Sequence, residues 1–186
     1  MTYRLRDTTN PPYTAQPAGL RTPRRIFEQP CRTAALNAGG DAATLALSCV
    51  SSGNCWAGGF YAGSPGGAFV VNEVSGVWRA AKKVAGTAAF NAGGARIGSV
   101  SCASAGNCSA VGFYTDSSGF RLHVFVVNEV SGVWRTAKEV PGTAALNAGG
   151  YAGVLSVSCA PAGNCSAGGF YTDSAGNQQA FVVGQN

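Results

Sequence analysis

Six of the seven cysteines fall in three pairs: Cys49 with Cys55, Cys102 with Cys108 and Cys159 with Cys165. Each pair encloses five residues, and each enclosed stretch ends in Gly-Asn. Paired thiols can serve as a disulfide, a metal site or a redox couple. Zinc prefers a spacing of about two to four residues, commonly with histidine. Five residues is loose, and His123 is the sole histidine. A redox couple wants Cys-x-x-Cys, a pattern absent here. Each pair does flank a turn between two strand-like runs, and opposed residues of an antiparallel hairpin lie within disulfide reach. Hairpin disulfides are therefore expected, with reduced core thiols as the alternative. Closing so short a loop stabilises each unit by about 2 kcal/mol in the chain-entropy view. Cys31 is left over.

The remaining reactive groups are sparse. A hydrolytic triad would need His123 beside a nucleophile and a carboxylate, but its place between Leu122 and Val124 reads as a tolerated strand residue. Glycoside hydrolysis needs two carboxylates at a fixed separation. Those after residue 32 are Asp41, Glu73, Asp116, Glu129, Glu139 and Asp173. Glu73 and Glu129 occupy matching places in a repeat, as do Asp116 and Asp173, which points to structural duty. Arg96 and Arg121 do not make the arginine cluster a sialidase would want. TDSSG and TDSAG, at Thr115 and Thr172, read as Asx-turns rather than calcium loops. The NAGG stretches lack the Lys-Ser/Thr of a phosphate loop. No enzyme, cofactor or metal site is expected.

What must position these cysteines is a repeat. SCVSSGNCWAGGFY, SCASAGNCSAVGFY and SCAPAGNCSAGGFY begin at Ser48, Ser101 and Ser158. AFVVNEVSGVW and VFVVNEVSGVW end at Trp78 and Trp134, and AFVV returns at Ala180. TAALNAGG or TAAFNAGG stands at Thr33, Thr87 and Thr143. Such a period signals an array of one supersecondary unit that cannot bury its own apolar face alone. The middle unit reads as four short strands, Arg96 to Ser104, Cys108 to Thr115, Leu122 to Val130 and Val133 to Val140, joined by turns with Gly106, Gly119 and Ser131–Gly132. Runs such as Val124 to Val127 are apolar on both faces and mark strands covered on both sides. Sheets stacked face to face provide that cover, as in a β-propeller. A β-trefoil is the alternative. Trp78 and Trp134 are expected to anchor the packing of blades.

Apolar residues make up 46% of the 186 residues and charged residues 11%, well below the usual quarter. Low charge with 27 glycines argues for short strands and tight turns. The net charge of +5 is uneven. Residues 1–32 carry six arginines against two carboxylates, whereas residues 33–186 carry seven basic and six acidic groups. The arginines are scattered among prolines, so a solvated, poorly ordered leader is expected, not a nucleic-acid arm. No apolar stretch reaches a membrane span, and the N-terminal residues have no signal-peptide core. Disulfides imply an oxidising compartment, so an extracytoplasmic location is expected, with its export signal upstream of Met1.

The unit resembles a repeat of uncharacterised actinobacterial proteins that reads roughly L-x-x-V-S-C-x-S-x-x-x-C-x-A-V-G, followed by a turn, an apolar strand and a Trp. Ser101, Cys102, Ser104, Cys108, Ala110, Val111, Gly112 and Trp134 match in the second unit. Leu155, Val157, Ser158, Cys159, Cys165 and Ala167 match in the third. The resemblance covers about residues 33–183. It implies propeller-type blades of an exported protein, distantly similar to sialidase-like propellers, and brings no reaction with it.

Together these readings describe a leader over 1–32 and three repeat units at about 33–86, 87–142 and 143–186, the last incomplete. Ile26 and Phe27 are candidates for a strand that completes the last blade. The expected function is a non-catalytic binding or interaction surface, with glycan or protein as partner and self-association through open blade edges. The alternative is a trefoil lectin. Trp56, Tyr61, Tyr114 and Tyr171 are the candidate ligand-facing rim.

Overall fold

The computed structural model describes residues 36–37, 40–63, 66–90 and 94–185, with the Phe90 side chain left aside. The leader, Cys31, and the proposed strand at Ile26 and Phe27 lie outside the described residues. The described chain is almost wholly antiparallel β-structure. The first sheet contains β1 (Ala42–Ser51), β2 (Asn54–Tyr61), β3 (Gly67–Val74), β4 (Val77–Trp78) and β5 (Lys82–Lys83). A helical turn, α1 (Thr87–Phe90), leads onward. The second sheet repeats the pattern as β6 (Ala95–Ser104), β7 (Asn107–Thr115), β8 (Leu122–Val130), β9 (Val133–Trp134) and β10 (Lys138–Glu139). After α2 (Thr143–Leu146), the third sheet holds β11 (Gly153–Cys159), β12 (Cys165–Thr172) and β13 (Gln178–Gly184). Each sheet is a meander.

The expected fourth strand is present in two pieces. β4 and β5 both pair with β3, and β9 and β10 both pair with β8, so a short interruption splits one strand into two. The chain reverses between β3 and β4 at Ser75 and Gly76, and between β8 and β9 at Ser131 and Gly132. All four have positive φ, the signature of a type I′ hairpin. The TAAF and TAAL stretches at Thr87 and Thr143 are short helical turns. Their start is fixed by Thr87 and Thr143, whose buried hydroxyls donate to the carbonyls of Val84 and Val140 at 2.8 and 2.7 Å.

A bulge recurs in the first strand of every sheet, between Thr44 and Ala46, Ile97 and Ser99, and Val154 and Ser156. It presses a carbonyl onto the second strand. A Cβ on Gly59 would sit 1.9 Å from the Ala43 oxygen, and one on Gly112 2.0 Å from that of Arg96. This contact explains the glycine before each Phe-Tyr.

The sheets stack face to face, and among the described residues no closed barrel forms, so the trefoil alternative falls. One core lies between the first and second sheets, with Trp56, Val70, Val100, Phe125 and Val127. A second lies between the second and third, with Val111, Val124, Val140, Val154 and Val157. β8 thus faces apolar layers on both sides, and Val124, Phe125 and Val127 are almost fully buried. Burial at about 25 cal/mol per Å² makes these layers the main source of cohesion.

The first strands lie side by side in the order β1, β6, β11. A repeated polar tie holds them. The Cys102 N–H donates to Ser48 Oγ at 3.2 Å, and the Cys159 N–H donates to Ser101 Oγ at 3.0 Å. The Val157 N–H donates to Ser99 Oγ at 3.1 Å. In the first two units the serine before the first cysteine therefore satisfies the backbone of the next unit. No sequence period states this directly.

Candidate functional site

The three cysteine pairs form disulfides. Cys49 is directly opposite Cys55, Cys102 opposite Cys108 and Cys159 opposite Cys165. S–S distances are 2.03, 2.00 and 2.10 Å, each with Cα atoms 4.0 Å apart. The Gly-Asn in the first two loops has a purpose the sequence did not disclose. Gly53 and Gly106 have positive φ, and their carbonyls accept from the N–H of Gly76 and Gly132 at 2.9 Å. Asn54 and Asn107 accept from the N–H of Ser75 and Ser131 at 3.3 and 3.2 Å. The disulfide corner is thus fastened to the neighbouring hairpin of its own sheet. Among the described residues no group of His, Cys, Asp and Glu could hold a metal ion.

The four aromatic residues expected on a rim are packed instead. Trp56, Tyr61 and Tyr114 are buried and Tyr171 is half-buried. The tyrosines occupy equivalent ends of second strands, each within an apolar cluster. The rim expectation is therefore corrected for Trp56, Tyr61 and Tyr114, which lie on strands covered on both faces. Trp134 packs at the margin of the core between the first and second sheets, as expected of a blade anchor, whereas Trp78 packs on a cluster formed by the first unit alone.

One polar cluster was missed. β7 and β8 place Tyr114 opposite His123, and their rings stack with centroids 5.2 Å apart. Glu139, on β10, puts Oε1 3.0 Å from His123 Nδ1. Asp116 Oδ2 lies 3.6 Å from Nε2. Burial, then the neighbouring Glu139 and Asp116 carboxylates, push the Tyr114 hydroxyl up to about 12. Asp116 is held below the usual carboxylate range chiefly by Ser118, whose hydroxyl it accepts from. Both imidazole nitrogens therefore face carboxylates, whereas a triad sets one of them against a nucleophile. The corner is particular to the second sheet. In the first, Gly67 opposes Tyr61, and the Lys83 ammonium lies 5.6 Å from its ring centre. In the third, Gln179 opposes Tyr171. Glu139 comes from a strand piece sixteen residues beyond His123, so the pairing had no sequence signal.

Of the other described carboxylates, Asp173 is committed locally and Glu129 is buried. Asp173 accepts from the N–H of Ala175 and Asn177 and from Gln179, and Gln179 above all depresses its carboxyl. Glu129 is buried, which raises its carboxyl, opposed by Trp56 and Lys82. The indole N–H of Trp56 is near enough to favour the charged form, yet Trp56 Nε1 and Glu129 Oε2 make no hydrogen bond of standard geometry. Arg96 spans two units, its guanidinium 5.4 Å from the Phe60 ring centre and 4.9 Å from that of Phe113.

No family model matches the sequence, and no curated protein does. A solved structure that the fold resembles is the Hadza microbial sialidase Hz136. The TM-score is 0.53 at 9% identity, over 76% of this chain and 34% of the sialidase chain. The sialidase is a β-propeller. This likeness concerns the fold alone. The chain spans about a third of that protein's length.

A cleft remains between the second and third sheets. It has a volume of about 180 Å³ and is mainly apolar, with Ser109, Val126, Val140, Val157, Val183 and Gln185 in its walls.

Proposed function

We propose that this chain is a non-catalytic module of propeller-type blades, part of an exported protein, that works by docking its open blade face onto another blade. The occupant is a second copy of this chain. The observation that carries the reading is the exposed face of the third sheet. Val182 is 83% exposed, while its counterpart in the first sheet, Val70, is 1% exposed beneath the second sheet. Ser156 and Ser158 are exposed too, in the places from which Ser99 and Ser101 tie the following sheet. The face therefore presents both halves of the contact used twice within the chain: an apolar layer and hydroxyls in register for an incoming first strand.

The complementary side exists on β1. Leu47 is 59% exposed, whereas its counterparts Val100 and Val157 are both 7% exposed under a neighbouring sheet. A head-to-tail contact of β11 on β1 of a second copy reproduces the internal geometry, and such a contact either closes a ring or propagates. Two copies bring six sheets, within the roughly four to eight of closed propellers. His123, engaged on both sides by Glu139 and Asp116, and Asp173, held in its own turn, support a non-catalytic reading. Three disulfides fit an extracellular protein, and no described helix is long and apolar enough to cross a membrane.

Sedimentation equilibrium tests this. The wild type is expected to self-associate, and Val182→Glu, on an exposed site, to give a folded monomer. A monomeric wild type at roughly 100 µM, weaker than any specific interface of standard size, or an unchanged assembly in the variant, overturns the reading.

A further inference from the structure

The cleft between the second and third sheets has a filled counterpart one repeat earlier. Between the first and second sheets, Trp56 lies in a pocket with Val70, Val84, Val100 and Val127. By strand register Trp56 opposes Asn72, and Ser109 opposes Asn128, so Ser109 holds the place of Trp56. The four valines recur as Val126, Val140, Val157 and Val183, which are the walls of the cleft. The walls are kept, and the indole that fills them has been exchanged for a hydroxymethyl group. Its Oγ donates to Asn128 Oδ1 at 2.8 Å and lies back against the sheet.

The polar end recurs as well. Glu129 sits beside the Trp56 indole N–H. One repeat later its place is taken by Gln185, which borders the cleft and whose backbone N–H donates to the Cys165 carbonyl at 2.8 Å. By its place in the repeat, a residue with a neutral amide thus replaces the carboxylate that neighbours the indole N–H. We propose that this cleft is a binding site for a small planar aromatic molecule carrying a ring N–H, of the indole class. The volume of about 180 Å³ suits it, since apolar cavities of about 150 Å³ accept benzene. The valine walls supply apolar contact to both ring faces, and Gln185 Oε1 accepts from the ring N–H. The site is independent of the exposed face discussed above, because it lies on the opposite side of the third sheet from Val182.

Titration with indole, followed by ligand-observed NMR and thermal unfolding, tests the proposal. Saturable binding at roughly millimolar Kd is expected for so small a ligand. Ser109→Trp fills the cleft and is expected to raise the melting temperature and abolish binding. Gln185→Leu changes an exposed residue and leaves folding intact. It is expected to weaken indole by about three- to tenfold, the worth of one hydrogen bond, and to leave indene, the same shape without the N–H, unchanged. Absence of saturable indole binding to the wild type overturns the proposal, as does equal binding by a folded Ser109→Trp protein. Equal weakening of indole and indene by Gln185→Leu also overturns it, because the amide would then have no part in recognition.

Discussion

Trp56 and Ser109 are a natural experiment in packing, and Trp56→Ser makes the first interface resemble the second. The cost follows from the structure. Trp56 is 2% exposed, and truncating a buried tryptophan to alanine costs about 3–5 kcal/mol. The equivalent space one repeat later measures about 180 Å³ and is open to solvent on one side, so only part of the ~24 cal/mol per Å³ that an enclosed cavity adds to the transfer cost applies. The expectation is therefore about 4 kcal/mol, within the 3–5 kcal/mol range of such truncations and a large part of the 5–15 kcal/mol that holds a typical domain together. Removing the indole also takes a favourable neighbour from the buried Glu129 carboxylate, which adds to the loss. Urea unfolding followed by far-UV circular dichroism is the assay, with the midpoint shift multiplied by an unchanged slope. Should Trp56→Ser not fold, Trp56→Phe keeps a ring in place and is expected to cost about 1–2 kcal/mol, less than truncation because most of the space stays filled. A loss below about 1 kcal/mol in Trp56→Ser would refute the reasoning, since a collapsed site would then leave no cavity to compare with the cleft.

Two further outcomes are expected. The double change Cys102→Ser with Cys108→Ser should lower stability by about 2 kcal/mol, and full reduction of the three hairpins by about three times that, in the chain-entropy view; an unchanged urea midpoint under strong reductant would show that the disulfides do not constrain the unfolded chain. Burial raises the Glu129 carboxyl, so the folded state favours its protonated form. The stability this group contributes is full below its ordinary value of 4.5 and is lost as pH rises through the raised folded value. Glu129→Gln should therefore gain on the wild type as pH rises above 4.5, as read by urea unfolding, and a difference that does not change with pH would remove the argument.

Local patterns disclosed much of the fold. The middle unit's strands were legible almost to their ends because β-branched runs and turn glycines alternate on a short scale; β6 begins at Ala95 and β8 spans Leu122–Val130. The split of the fourth strand was not legible, because it depends on where β3 and β8 offer backbone partners. The expectation for Tyr61 and Tyr114 failed for a related reason. Exposure is decided by which neighbouring sheet covers a strand end, and the strand's own residues do not record that.

By itself the sequence determined that there are three like units, that cysteines pair across each first hairpin, and that the strands carry apolar residues on both faces. These follow from spacing, since register and turn geometry act over a few residues. Only the tertiary structure decided what stands between the units. It made Ser48 and Ser101 ties to the next strand, set His123 between Asp116 and Glu139, and turned the exchange of Trp56 for Ser109 from a surface difference into an empty pocket. Those contacts join residues tens of positions apart, and their meaning depends on how stacked sheets meet, a geometry that no local pattern contains.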